Sequence, residues 1–155
     1  MFCFLPTIIV RHRKENLKKC SLRGLESRSD CVFVRYPCKE LPPLDGYLVL
    51  DLEGGEISEE DQGRGILLID ATWRYAEQMN KNLSLPGTIV RRSLPQHFRT
   101  AYPRTQTGCA SPDQGLASIE ALYLAYHLMG RSTDGLLDHY YWKDEFLKKN
   151  SAILS

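Results

Sequence analysis

The chain has 155 residues, of which 43% are hydrophobic and 25% are charged. This composition is typical of a globular protein and excludes a fibrous or disordered chain. The length fits one compact domain, or two small lobes that share a core. No apolar stretch is long enough to span a membrane. The opening segment MFCFLPTIIV is short and its basic residues follow it, so it predicts a buried strand instead of a secretory signal.

The net charge is only +1, but it is unevenly distributed along the chain. Residues 1–40 carry a net charge of +5, residues 41–70 of −7, residues 71–109 of +5 and residues 110–155 of −2. Two basic segments on either side of an acidic one could fold into one basic face that binds a phosphate backbone. Ordinary solvated surface is the alternative, and charge alone slightly favours it.

Cysteine and histidine show neither a disulfide nor a metal pattern. The five cysteines are odd in number and irregularly spaced, which favours a reducing compartment and therefore a cytoplasmic protein. The four histidines have no metal-ligand spacing with one another or with the cysteines. They are His12, His97, His127 and His139. We therefore predict no metal site.

Five segments read as strands, in chain order 5–11, 31–36, 47–51, 65–70 and 88–92. The third and fourth are short apolar runs that each end in an aspartate. Such runs predict strands that are buried on both faces of a largely parallel sheet. Residues 51–64 are polar with two adjacent glycines, and predict a loop with one helical turn that starts at Ser58, its cap.

Three helices are predicted, over residues 73–81, 119–129 and 134–150, so the last third of the chain is mainly helical. Gly130 is expected to end the second helix, and lysines at the end of the third complement its dipole. The third would place Leu137, Tyr140, Tyr141 and Phe146 near one face. Residues 93–117 contain three prolines and predict loops. We expect an α/β lobe at 1–92 and a mainly helical lobe at 93–155, packed as one compact unit.

The most informative motif is Asp70-Ala71-Thr72-Trp73, which follows strand 65–70 directly and opens a predicted helix. In open α/β sheets, ligands bind at this edge. The helix N-terminus offers N–H groups to a carboxylate or nucleotide. Trp73 can stack on a flat group or flank a sulfonium cation. A capping residue followed by a core tryptophan fits the spacing equally well.

Asp-x-Thr-Trp after an apolar strand resembles the signature of the DTW-domain family, which modifies uridine in tRNA. The wider chain more closely resembles the small-subunit rRNA aminocarboxypropyltransferases of archaea and eukaryotes. Four further segments carry that resemblance, in order and over nearly the whole chain. They are LKKCS from residue 17 and on through Leu25, LVLDLEGGEISEED at 48–61, RRSLP at 91–95, and SIEA at 118–121 together with Trp142, Phe146 and Asn150.

The resemblance implies an α/β fold related to the knotted SPOUT methyltransferases, with a mostly parallel sheet and a helical C-terminal part. It also implies that S-adenosylmethionine is held largely by backbone groups, with an apolar pocket for the adenine. The implied cofactor contacts are Ser21, Leu50, Ser58, Asp70, Trp73, Leu94 and Ser118. For the serines, a cap or turn is the alternative role, and for Leu94 a loop anchor.

Several positions depart from the pattern of that family. Leu22 stands where a glycine is usual, Ala71-Thr72 replaces Cys-Ser, and Lys143 replaces the glycine after Trp142. Tyr102-Pro103 stands where Asn-Pro is expected, and a different loop follows it. Because of the changed loop, the RNA target and part of the pocket do not carry over from the family pattern.

Asp70 is the candidate catalytic residue, because a uridine ring nitrogen must lose its proton before it attacks and a nearby carboxylate can act as general base. Capping the following helix is its alternative role. The candidate RNA contacts would hold phosphates without reading sequence, and for any one of them a plain surface role is the alternative. They are Arg11, Arg13, Lys18, Lys19, Arg23, Arg91, Arg92, Arg99 and Arg104.

We therefore expect an enzyme that transfers the 3-amino-3-carboxypropyl group of S-adenosylmethionine to a uridine or modified uridine in RNA. Small-subunit rRNA is the first choice of substrate and tRNA the second. A methyltransferase on the same fold is one alternative, and a non-catalytic RNA-binding ribosome-assembly factor is the other. The family resemblance implies that the protein acts as a monomer.

Overall fold

The computed structural model describes residues 5–13, 22–37, 41–70, 78–79, 81–83, 85–95, 97–101 and 116–154, with only the main chain described at 51–53. Within these residues the chain forms a parallel five-stranded sheet. The strands are β1 (Thr7–His12), β2 (Cys31–Tyr36), β3 (Tyr47–Glu56), β4 (Gly65–Asp70) and β5 (Val90–Ser93). Their order is β2-β1-β4-β3-β5, and every neighbouring pair is parallel. The mostly parallel α/β sheet is therefore confirmed.

The central strands β1, β3 and β4 are largely buried on both faces, as their apolar runs predict. On one face, Ile8 and Val10 of β1 pack with Val49 and Met79 in one apolar cluster. On the other, Ile9 packs in a larger cluster that includes the C-terminal helices. Alternate residues of a strand point to opposite faces, so a strand covered on both sides must be apolar at nearly every position.

Three helices follow the sheet in the described part of the chain. They are α1 (Ser118–Met129), α2 (Lys143–Lys149) and α3 (Ser151–Leu154). The predicted end of α1 is confirmed, because Gly130 adopts φ 77°, a left-handed conformation that glycine tolerates. Of the predicted helix at 73–81, residues 78, 79 and 81 are described and helical, and the others lie outside the described residues.

The larger apolar cluster joins both parts of the chain. Ile9 and Leu48 from the strands pack there with Leu122 of α1 and Phe146 of α2, all at most 1% exposed. Burying four such side chains contributes roughly 1.5–3 kcal/mol each to the free energy of unfolding. The division into lobes at residue 92 stays a prediction.

The predicted helix at 134–150 is wrong in its first half. Residues 134–139 form turns, and the helix starts only at Lys143. Gly135 has φ 79°, which no right-handed helix contains, so the chain turns there before α2 begins. The prediction that four side chains share one helix face is therefore also wrong. Tyr141 is 86% exposed, whereas Leu137, Tyr140 and Phe146 are buried.

The loop predicted to start at residue 51 starts later, because β3 continues to Glu56. Its pairing with β5 shifts register between Leu50 and Gly55. At Gly54 the two backbones approach so closely that a Cβ atom would lie 2.4 Å from the carbonyl carbon of Arg91. The adjacent glycines therefore mark a bulge that needs a residue without a side chain.

The direction of α1 is set by contacts at its C-terminal end. The Tyr126 hydroxyl hydrogen-bonds Thr7, the first residue of β1, and the Gln62 side chain donates to the carbonyl oxygen of Gly130 at 3.1 Å. Residue 62 lies three residues before the start of β4, so both contacts lie at the amino edge of the sheet. Twelve helical residues span about 18 Å and six strand residues about 20 Å. The N-terminus of α1 therefore points toward the carboxyl edge.

Within the described ranges, no helix combines the length and the apolar character that a bilayer crossing requires.

Burial of Cys31 leads to a testable expectation about its thiol. Desolvation raises the pKa of this thiol to about 11. At pH 8 such a thiol is about 100-fold less ionised than one with a pKa near 9, and only the thiolate reacts. We expect iodoacetamide to label Cys31 about 100-fold more slowly in the folded protein than in urea, as read from its peptide by mass spectrometry. Equal rates in both states would contradict the buried thiol.

Candidate functional site

Asp70 closes β4 at the carboxyl edge of the sheet and is 3% exposed. Arg11 is its register partner on β1, and Arg11 Nε donates to Asp70 Oδ2 at 3.0 Å. The parallel register thus places a cation directly beside the candidate base. The carboxylate is fixed in position at the edge where α/β sheets bind ligands.

Arg11 is held on two further sides. Its Nη1 donates to Glu26 Oε2 at 3.2 Å, and its guanidinium carbon lies 4.5 Å from the centre of the Phe33 ring. Burial raises the pKa of the Glu26 carboxyl, but hydrogen bonds from the main chain and from Arg11 outweigh it and the net direction is downward. Arg11 therefore bridges two carboxylates over an aromatic face, a geometry suited to a guanidinium.

Three predicted cofactor contacts gather at the same edge. Leu94 directly follows β5, Leu50 is the register partner of Arg92 beside the bulge in β3, and Ser118 opens α1. Leu50 and Leu94 are half-buried and pack against the larger apolar cluster. Ser21 and Trp73 lie outside the described residues.

Ser58 caps the short helical turn Glu59–Asp61, as predicted. Its hydroxyl accepts from the Glu60 amide at 3.3 Å, while Asp61 Oδ2 accepts from the Ser58 amide at 3.2 Å. Asp61 is 2% exposed and also accepts from Arg92 Nε at 3.1 Å. The cap role of Ser58 is confirmed, and its contact with a cofactor stays a prediction.

Ser118 does not cap α1, contrary to the alternative role considered for it. The residue at the N-cap position is Ala117, which has no side-chain acceptor. Its amide donates instead to Glu120 Oε1 at 2.8 Å. The cap is thus supplied by a carboxylate three residues into the helix, where the helix dipole favours negative charge.

Glu120 is a buried carboxylate that the sequence prediction missed, although it belongs to the SIEA motif. It is 0% exposed and accepts four hydrogen bonds. Oε1 accepts from the Thr100 hydroxyl at 2.6 Å as well as from Ala117. Oε2 accepts from the Ala101 amide at 2.8 Å and from the Tyr140 hydroxyl at 2.9 Å. An acidic residue in an otherwise apolar helix was the available signal, because a buried charge must be paired.

Asn150 fixes the neighbouring main chain. It is 0% exposed, its Oδ1 accepts from the Arg99 amide at 2.8 Å, and its Nδ2 donates to the carbonyl oxygens of Arg99 and Phe146, each at 2.9 Å. Together with Glu120, it anchors residues 99–101 to the helical part of the chain.

The candidate RNA contacts fall into two groups in the described part of the chain. Arg13, Arg23, Arg91 and Arg99 are exposed. Arg11 and Arg92 are ion-paired, with side chains 12% and 31% exposed. Lys18, Lys19 and Arg104 lie outside the described residues. RNA contact by any of them stays a prediction, and the exposed group fits it better.

The carboxyl edge therefore carries the fixed Asp70 carboxylate and the exposed Arg13, with two half-buried leucines nearby and the N-terminus of α1 directed toward it. Among the residues with described side chains, no three His, Cys, Asp or Glu residues are grouped so that they could hold a metal ion. The donor set fits an organic ligand that carries both charge and apolar surface.

No protein-family model matches the chain, and no curated protein sequence matches it significantly. In structure, it is similar to the SAM-dependent rRNA:acp-transferase Tsr3 from Vulcanisaeta distributa, with a TM-score of 0.71. The alignment covers 97% of this chain and 82% of that chain, with 21% sequence identity. At this identity the likeness concerns the fold, and this chain has a fold of that kind.

Proposed function

We propose that this protein is an S-adenosylmethionine-dependent transferase that moves the 3-amino-3-carboxypropyl group to a uridine or modified uridine in RNA, first of all small-subunit rRNA. The observation that carries the proposal is the convergence of Asp70, Arg11 and the N-terminus of α1 at one sheet edge. The likeness in fold to an rRNA:acp-transferase and the five motifs in order support it.

The described residues fit S-adenosylmethionine by the chemistry of their groups. Leu50 and Leu94 offer half-buried apolar surface to an adenine ring. The N-terminus of α1 favours an anionic group such as the methionine carboxylate. When bound, the cofactor supplies a carbon chain activated by its sulfonium.

Asp70 would accept the proton that the uridine ring nitrogen loses before it attacks. Arg11 holds the Asp70 carboxylate through Oδ2, so its orientation is set before RNA arrives. The placement of the bound cofactor relative to the RNA base decides which of the three sulfonium carbons the nucleophile meets, and alignment of this kind supplies much of the rate.

A double-label assay tests the proposal. Purified protein is mixed with small-subunit rRNA or tRNA and with S-adenosylmethionine labelled either in the methyl group or in the amino-acid chain. We expect chain label, and no methyl label, to enter rRNA. Heat-treated protein serves as the blank.

Each other result selects a different function. Methyl label in the RNA would make the protein a methyltransferase, and chain label in tRNA alone would move it to the tRNA-modifying enzymes. If neither label enters RNA and calorimetry detects no cofactor binding, the non-catalytic RNA-binding alternative replaces the proposal.

We also propose several finer assignments from the family resemblance, the cysteine pattern and the order of strands and helices in the sequence. They are a relationship to the DTW-domain and knotted SPOUT families, two lobes at 1–92 and 93–155, action as a monomer and a cytoplasmic location. Size-exclusion chromatography with light scattering checks the monomer, since a dimer would double the mass.

A further inference from the structure

Glu120 connects two segments that are distant in sequence, residues 100–101 and residue 117. Its carboxylate oxygens hold Thr100 and Ala101 on one side and Ala117 on the other. The loop at 102–115, which departs from the family pattern, lies between these residues in sequence. Tyr140 reaches the same carboxylate from the turn before α2. One side chain thus fixes the distance between three segments.

These segments are close in sequence to two of the proposed cofactor contacts. Leu94 lies five residues before the anchored stretch 99–101, whose main chain Asn150 also holds. Ser118 lies directly after the Ala117 amide that donates to Glu120. Since the N-terminus of α1 points toward the carboxyl edge, the anchor lies at the end of the helix that faces the edge carrying Asp70 and Arg11.

We propose that Glu120 is a positioning residue for the cofactor site, and that its four-donor anchor sets the placement of Leu94 and Ser118. This rests on the proposed function. A carboxylate is required because each oxygen accepts one main-chain N–H and one hydroxyl. Glutamine in either orientation would turn its NH₂ group toward a main-chain N–H, and two donors facing each other leave one unsatisfied.

Tyr140→Phe tests the proposal with little risk to folding, and Tyr47→Phe is its matched control. Both tyrosines are buried, 7% and 6% exposed, and both hydroxyls donate to one acceptor, Tyr140 to Glu120 at 2.9 Å and Tyr47 to the carbonyl oxygen of Pro6 at 2.6 Å. Tyr47 starts β3 at the amino edge and packs on the opposite face of the sheet. Both variants should lose similar amounts of thermal stability.

Two measurements distinguish an effect of Tyr140→Phe on the cofactor site from a general loss of stability. Calorimetry should show S-adenosylmethionine binding weakened roughly fivefold or more in Tyr140→Phe and unchanged in Tyr47→Phe. Hydrogen exchange should speed up in the peptide that contains Ala101 in Tyr140→Phe alone. Glu120→Gln should show both effects more strongly.

The outcomes are distinct. If the wild type binds the cofactor and both phenylalanine variants bind it equally well, Glu120 is a structural anchor only and the inference is overturned, whatever hydrogen exchange shows. If the wild type itself does not bind S-adenosylmethionine, the proposed function fails and takes the inference with it.

Discussion

Replacing Asp70 by asparagine is expected to lower the rate of chain transfer by about 100-fold or more, because an amide cannot accept the uridine proton. Asparagine keeps the shape of the side chain and an oxygen that can accept from Arg11 Nε, so the site should stay assembled. The affinity for S-adenosylmethionine should therefore change by less than about tenfold. Single-turnover kinetics and calorimetry measure the two quantities separately.

Asp30→Asn is the matched control for this prediction. Asp30 is also a carboxylate paired with arginine, since Arg28 Nε donates to its Oδ1 at 2.8 Å. It directly precedes β2 at the amino edge of the sheet, the edge opposite the proposed site. This variant should lose at most about 1 kcal/mol of unfolding free energy and keep its transfer rate per folded molecule. If Asp70→Asn behaves in the same way, Asp70 is a structural carboxylate and not the base.

The sheet was predictable because its strands carry their own signal. A strand covered on both faces reads as a continuous apolar run, and residues 65–70 form β4 with the predicted ends. The two largest errors in the predicted boundaries both involve glycine. Gly54 permits a close approach between β3 and β5, and Gly135 permits a left-handed turn. Neither role is visible without the neighbouring chain or the backbone angle.

The sequence predicted that Asp70 lies at the carboxyl edge of the sheet, but it did not predict the partners of Asp70 or of Glu120. Asp70 follows from its place at the end of a strand. Its partner Arg11 is 59 residues away and becomes adjacent only through the register of β1 with β4. The partners of Glu120 lie 20 residues to either side, at Thr100 and Tyr140. Pairing between distant segments is a property of the fold, and local sequence patterns do not contain it.

Replacing Arg11 by methionine is expected to lower the melting temperature, because it leaves the buried Asp70 without its cation. Breaking a buried ion pair costs about 3 kcal/mol, which corresponds to roughly 6–12 °C in a domain of this size. Methionine keeps an apolar contact with the Phe33 ring, so the lost charge dominates the effect. Differential scanning fluorimetry measures the shift, and Arg11→Lys should recover part of it.

Arg13→Met separates this structural role from RNA contact. Arg13 directly follows β1 and its side chain is exposed, so its loss should change stability by less than about 0.5 kcal/mol. If Arg13 contacts a phosphate, its removal weakens RNA binding. It also reduces the salt slope, which is the slope of the logarithm of the binding constant against the logarithm of the salt concentration, by about 0.7 for single-stranded RNA. If Arg11→Met and Arg13→Met have equal melting temperatures and reduce the salt slope equally, Arg11 is instead a phosphate contact. A cation held between Asp70 and Glu26 should not behave in that way, because its charge is already neutralised inside the protein.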